Sequence, residues 1–225
     1  MTAPGTAGRG AGAAVASTTP VVLLAHGSPD PRSATAVSVT ADLLSLGRPA
    51  PVVAAFLDHS EPRLHELELD DGAAVLPLLL STAYHARVDV PAALASLPVQ
   101  VQLLDPLGHP AGVLDTVIRD ADAPSVVIVA AGTSDEGERA AFAMAVHEAG
   151  ERTGVLARSA FATSAGPRMT DVSSASDAVV PWLLAPGRLL DAVRAQAAAH
   201  GSPVTGRALL AHPQMLTYLA VRLGR

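Results

Sequence analysis

The chain has 225 residues, 49% of them hydrophobic, 16% charged and 3% aromatic, enough for two compact domains of roughly 100 residues each or for one larger one. That apolar fraction excludes a disordered polypeptide, and no apolar run reaches the roughly 18 residues of a membrane span. The net charge of −6, with every positive charge an arginine and no basic stripe, argues against nucleic acid as a partner; the absence of cysteine removes disulfides, thiolate metal sites and a cysteine nucleophile.

Residues 1–19 are mostly Gly, Ala and Thr with one arginine and no bulky apolar residue after Met1 except Val15, and read as a flexible tail. They lack the apolar core of a signal peptide, so a cytoplasmic protein is expected. Val21–Ala25 (VVLLA) is the first strand and ends at His26-Gly27-Ser28. A helix should start near Asp30-Pro31, since proline suits a first helical turn and Ala34–Leu46 is apolar at helical spacing. Pro51–Leu57 predicts a second strand and Pro62–Leu69 a helix. Ala73–Leu80 predicts a third strand, Val90–Leu97 a short helix, Val99–Leu104 a fourth strand and Ala111–Arg119 a closing helix. Strands that are continuous apolar runs, alternating with helices, indicate a parallel sheet covered on both faces.

The pattern then begins again. Val126–Gly132 (VVIVAAG) repeats Val21–Gly27 (VVLLAHG) at an offset of 105. Phe161, Thr163, Pro167 and Arg168 repeat Phe56, Asp58, Pro62 and Arg63 at the same offset. Pro181-Trp182-Leu183-Leu184 repeats Pro77-Leu78-Leu79-Leu80 at 104, and His212-Pro213 repeats His109-Pro110 at 103. Landmarks in one order with nearly constant offset define an internal duplication. The expected domains are 20–120 and 121–225, each an α/β unit with a small parallel sheet flanked by helices.

The two halves differ where chemistry would sit. The first carries His26, Asp58 and His85 after its strands; the second has Ala131, Thr163 and, at the 104 offset, Leu189. A scaffold that required these groups would keep them in both halves. In open α/β sheets ligands bind outside the carboxyl ends of the strands, and all three residues should open on that edge. Two imidazoles and a carboxylate suit a borderline divalent metal, Fe²⁺, Co²⁺, Ni²⁺ or Zn²⁺. Competing roles exist for each group. A histidine after a strand can be a packing residue, and Asp58 can cap a helix near Pro62. Ser28 can cap the first helix, as Thr133 would in the repeat, or help that helix terminus bind an anion. Arg32 and Arg87 can be solvated or bind carboxylates. His59 and His65 read as surface residues. His109 and His212 occur in both halves, which favours a structural role.

The segments VVLLAHGSPDPRS, AFLDHSEPRL and LPLLLSTAYHARVDVP, in that order, resemble the class II tetrapyrrole chelatases of the sirohydrochlorin chelatase family. In that family a strand ends in G-H-G-S, followed by F-L-E-x-x-E-P and by P-L-x-L-x-x-x-H-x-x-x-D-I-P. The second half, with AAGTSD, FATSAGP, PWLL and AHPQML, resembles the duplicated half of the family's long two-domain form. The resemblance implies two tandem chelatase-like domains and ATP-independent insertion of a divalent metal into sirohydrochlorin, for sirohaem or cobalamin synthesis. It implies His26 and His85 as the metal-binding and catalytic histidines. Asp58 matches the first acid as a shorter carboxylate, Glu61 the second, and Asp89 the Asp before I-P. Ser28, Arg32 and Arg87 would contact substrate carboxylates. The family's Gly before the first His is Ala25 here, and its Arg after H-G-S is Pro29. No permanently bound cofactor is implied: Fe²⁺, Co²⁺ or Ni²⁺ is a substrate, the tetrapyrrole is the partner, and a monomer is expected because the two halves can pair as two subunits would. A metal or tetrapyrrole carrier using the same residues is the alternative. A serine hydrolase is excluded by the absence of G-x-S-x-G, and a P-loop by the absence of lysine.

Overall fold

The computed structural model describes residues 15–81, 88–163 and 166–224. Its first sheet contains β1 (Val21–Ala25), β2 (Val52–Phe56), β3 (Ala74–Pro77) and β4 (Gln102–Leu103) in the order β2-β1-β3-β4. Every pairing is parallel. The helices of this stretch are α1 (Pro31–Ser45), α2 (Val90–Ala95) and α3 (Ala111–Asp120). The second sheet holds β5 (Ser125–Ala130), β6 (Leu156–Phe161) and β7 (Ala178–Trp182) in the order β6-β5-β7, again parallel. With it come α4 (Glu136–Thr153), the single turn α5 (Met169–Val172), α6 (Arg188–His200) and α7 (Pro213–Arg222).

Central strands buried on both faces explain the continuous apolar runs. Val21 to Leu24 and Ala74 to Leu76 are at most 1% exposed, as are Val126 to Val129. Val22, Leu24, Ala55, Leu64, Val75 and Val90 form the core of the first sheet's unit. Each buried leucine or valine side chain contributes roughly 1.5–3 kcal/mol.

The duplication is visible in backbone detail. Phe56 bridges Arg63 and Phe161 bridges Arg168 in parallel fashion. The Arg63 N–H donates to Glu66 Oε2 at 2.7 Å, and the Arg168 N–H donates to Asp171 Oδ2 at 2.9 Å. That extended bridge explains one departure from expectation. Pro62–Leu69 forms only one 3₁₀ turn, Leu64–Glu66, because Arg63 is extended (ψ 152°) and paired with Phe56. The fourth strand is likewise shorter than Val99–Leu104, pairing only at Gln102 and Leu103.

The chain forms two compact units, and neither is one continuous half. The first comprises residues 15–29, 37–107 and 219–224; the second comprises 30–36 and 108–218. The main division between these units lies at 107/108, while the sequence repeat turns over at 120/121. Helix α3 belongs to the second unit, where Asp115 pairs with Arg152 of α4 at 2.9 Å. The last residues of the chain belong to the first unit, where Arg222 donates to the carbonyls of Asp105 (2.7 Å) and Pro106 (3.2 Å). Each unit thus takes in a helical segment from the other half of the duplication, α3 in the second and residues 219–224 in the first. Residues 15–19 are not a free tail. Val15 is 4% exposed and its N–H donates to the Arg222 carbonyl. Buried Arg48 donates to the carbonyls of Ala16, Thr19 and Leu223.

Candidate metal centre

Strand register brings the expected residues to one edge. Ala25 pairs with Phe56, and Leu24 with Pro77, so β1, β2 and β3 end level. His26 follows β1 directly and Asp58 lies two residues beyond β2. The two segments are joined, with the Asp58 N–H donating to the His26 carbonyl at 2.8 Å. The Leu78 N–H donates to the Leu24 carbonyl at 2.8 Å, carrying the chain after β3 past the end of β1. His85 and Arg87, which follow that stretch, lie outside the described residues.

Gly27 lets the two loops approach. Its φ of +94° is a conformation that side chains disfavour. Ser60 adds a second link: its hydroxyl accepts from the Ser28 N–H at 3.3 Å and donates to the Ser28 carbonyl at 3.1 Å. Helix α1 is capped by Asp30 rather than Ser28, with Oδ1 accepting from the Arg32 N–H at 3.1 Å. Asp135 caps α4 at the repeated position, accepting from the Glu138 N–H at 3.1 Å. An aspartate at the residue before the helix outcompetes a serine two positions earlier because its carboxylate reaches the first free N–H groups and complements the helix dipole.

Asp58 does not cap a helix. Its Oδ1 accepts from the His59 N–H at 2.8 Å and from the Arg63 guanidinium at 2.9 Å. The backbone N–H of His59, then Arg63, holds its carboxyl below the ordinary range against the opposing effect of desolvation. The carboxylate is therefore ionised and partly committed within the protein.

His59 is exposed, as expected of a surface residue, but its contact with His26 was not foreseen. His59 has φ 60°, one of two described non-glycine residues with positive φ. Its ring meets that of His26 edge-on, with centroids 6.1 Å apart and planes at 75°. A usable signal was present, because the repeat has Ser164 at this position and the imidazole is again unique to the first half. Among the described residues, no group of three or more His, Asp or Glu is arranged to hold a metal ion.

Arg32 belongs to the second unit and is committed there. It bonds Asp30 at 2.7 Å and Asp191 at 2.6 Å. The Arg32 hydrogen bond is the main reason that the Asp30 pKa falls to about 2. A guanidinium held by two carboxylates has little left for a substrate carboxylate.

The second half keeps the loop architecture without the donors. The Thr163 N–H donates to the Ala131 carbonyl at 2.9 Å, as Asp58 does to His26. The Thr163 hydroxyl is turned onto the same carbonyl at 2.7 Å. Leu189 packs against that unit's core. His109 and His212 are structural there. His109 Nδ1 accepts from the Trp182 indole N–H at 3.2 Å, and burial lowers its pKa. His212 bonds Asp120 at 3.0 Å and accepts the Gln214 N–H at the start of α7.

Residues 20–123 match the CbiX family. No curated protein matches the sequence. Among solved structures, the chain resembles the sirohydrochlorin chelatase SirB from Bacillus subtilis subspecies spizizenii, determined with cobalt. The TM-score is 0.72 at 20% identity, over 91% of this chain and 93% of that one. It also resembles CbiX, the terminal enzyme of sirohaem biosynthesis in denitrifying bacteria, with TM-score 0.68, 19% identity, and 91% and 97% covered. A third structure is DR2241 from Deinococcus radiodurans, a multi-domain protein with structural similarity to chelatases. Its TM-score is 0.67 at 19% identity, over 92% of this chain, which spans about half (54%) of that protein. The chain thus shares the chelatase fold, two parallel α/β sheets, with these structures, and its residues 20–123 match the CbiX family.

Proposed function

We propose that the chain inserts a divalent metal into sirohydrochlorin without ATP. The observation that carries this reading is the junction of His26 and Asp58 at the carboxyl edge of the first sheet, within the half that matches CbiX. In this reading His26 and His85 take up Fe²⁺ or Co²⁺, with Ni²⁺ as a third candidate. Neutral imidazole suits all three. The metal exchanges protein ligands for the four pyrrole nitrogens, and two pyrrole N–H protons leave. An imidazole not bound to metal is the natural acceptor for a proton. Asp58 adds negative charge beside His26, while Ser28 and Arg87 are the remaining candidates for substrate carboxylates.

The reading extends to a cytoplasmic monomer with no permanently bound cofactor, serving sirohaem or cobalamin synthesis. Among the described residues no helix is long and apolar enough to cross a membrane. The test is an absorbance assay of metal insertion into sirohydrochlorin, run in parallel with Fe²⁺, Co²⁺ and Ni²⁺. Catalysed turnover supports the chelatase; stoichiometric metal uptake without turnover identifies a carrier and overturns the enzyme reading.

A further inference from the structure

His59 stands where the backbone disfavours it. The Ser60 N–H donates to the Asp58 carbonyl at 2.8 Å, closing a three-residue turn centred on His59 at φ 60°. Turns of this positive-φ type are rare, and glycine relieves them. A non-glycine residue held in such a conformation points to a function for its side chain.

The side chain has two partners. Its Nε2 lies 3.4 Å from Asp58 Oδ2, and its ring stands edge-on against His26. Asp58 is in turn fixed by Arg63, whose guanidinium also donates to the Leu57 carbonyl at 3.0 Å. Arg63, Asp58, His59 and His26 therefore form one continuous series of contacts. His59 is roughly half exposed, so it contributes little to the core.

We propose that His59 is a positioning residue for the metal centre: its ring, standing edge-on against His26, fixes the orientation in which His26 meets the incoming metal. The inference rests on the chelatase reading above. Groups that orient a ligand without binding metal alter metal affinity by about 10–100-fold when removed.

The experiment is calorimetric titration of the full chain with Co²⁺ alone, with thermal unfolding recorded alongside. His59→Gly removes the ring and relieves the backbone, so Co²⁺ affinity should fall about tenfold while the unfolding midpoint stays level or rises. A residue that merely supported the fold would move the midpoint down. His59→Phe keeps an aromatic edge against His26 without a donor nitrogen and should retain most of the wild-type affinity. Wild-type affinity in His59→Gly overturns this inference, as does a Phe variant as weak as the Gly variant. A wild-type chain that takes up no Co²⁺ overturns the chelatase reading and this inference with it.

Discussion

Gly27 and Asp58 meet backbone to backbone: a Cβ added at Gly27 would lie 1.6 Å from the Asp58 carbonyl oxygen. The closeness of these two residues lets the loops after β1 and β2 share the hydrogen bonds that carry His26 and Asp58. Gly27→Ala adds a steric clash to a strained φ. It should cost at least about 2 kcal/mol of stability and reduce metal binding at the same time. Denaturant unfolding, read as a lower midpoint at unchanged slope, together with a Co²⁺ titration, checks both effects.

His26→Ala should separate chemistry from folding. His26 lies outside the cluster of buried residues that forms the first unit's core. Metal insertion should fall by on the order of 100-fold or more, with little change in thermal midpoint. The absorbance assay and a melting curve measured on the same preparation decide it. An active variant would remove His26 from the centre.

The lowered pKa of Asp58 has a defined pH consequence. A carboxyl whose folded value lies below its ordinary 3.8 stabilises the fold above that pH. The contribution is lost as pH falls through the lowered folded value. Arg63→Ala should move the Asp58 midpoint upward but not fully to the ordinary value, since the His59 N–H is the larger cause. Carboxyl carbon NMR across an acid titration measures it directly.

Arg32 offers the complementary test. Asp30 titrates at about 2, with the Arg32 hydrogen bond as the leading cause. Its stabilising contribution should be complete above pH 3.8 and disappear between 3.8 and about 2. Arg32→Ala should move that loss upward while leaving the KM for tetrapyrrole near wild type. A large rise in KM with unchanged acid stability would return Arg32 to the substrate.

The chain should take up a single Co²⁺. Ala131 offers no lone pair, and the Thr163 hydroxyl is already bonded to the Ala131 carbonyl; a lone hydroxyl does not hold a borderline cation against water. Calorimetric stoichiometry checks this, and two equivalent sites would contradict it.

Much of this was legible in the sequence. The strand VVLLA is observed with the expected limits, Val21 to Ala25, because a doubly buried parallel strand is apolar at every position. The duplication was legible because both halves keep the same residues at the same bridge, Phe56 with Arg63 and Phe161 with Arg168. Other features depend on three-dimensional partners that periodicity does not encode. Arg32 looked available until Asp191, far along the chain, took its guanidinium. The contact of exposed His59 with His26 was hidden because a positive φ leaves no pattern in the neighbouring side chains. The packing of α3 was not legible because sequence order assigns it to the half that contains it, whereas its packing partner is α4.

The crossing of the duplication boundary has a bearing on how the molecule reaches its native state. The bond from Arg48 to the Leu223 carbonyl closes a separation of 175 residues, and the unit that carries His26 includes residues 219–224. During vectorial synthesis the second unit's sheet emerges complete while the first still lacks its closing segment. Contacts of such long sequence separation are slow to form, since loop-closure entropy opposes them before their enthalpy is realised. The half that carries His26 is made first and finished last.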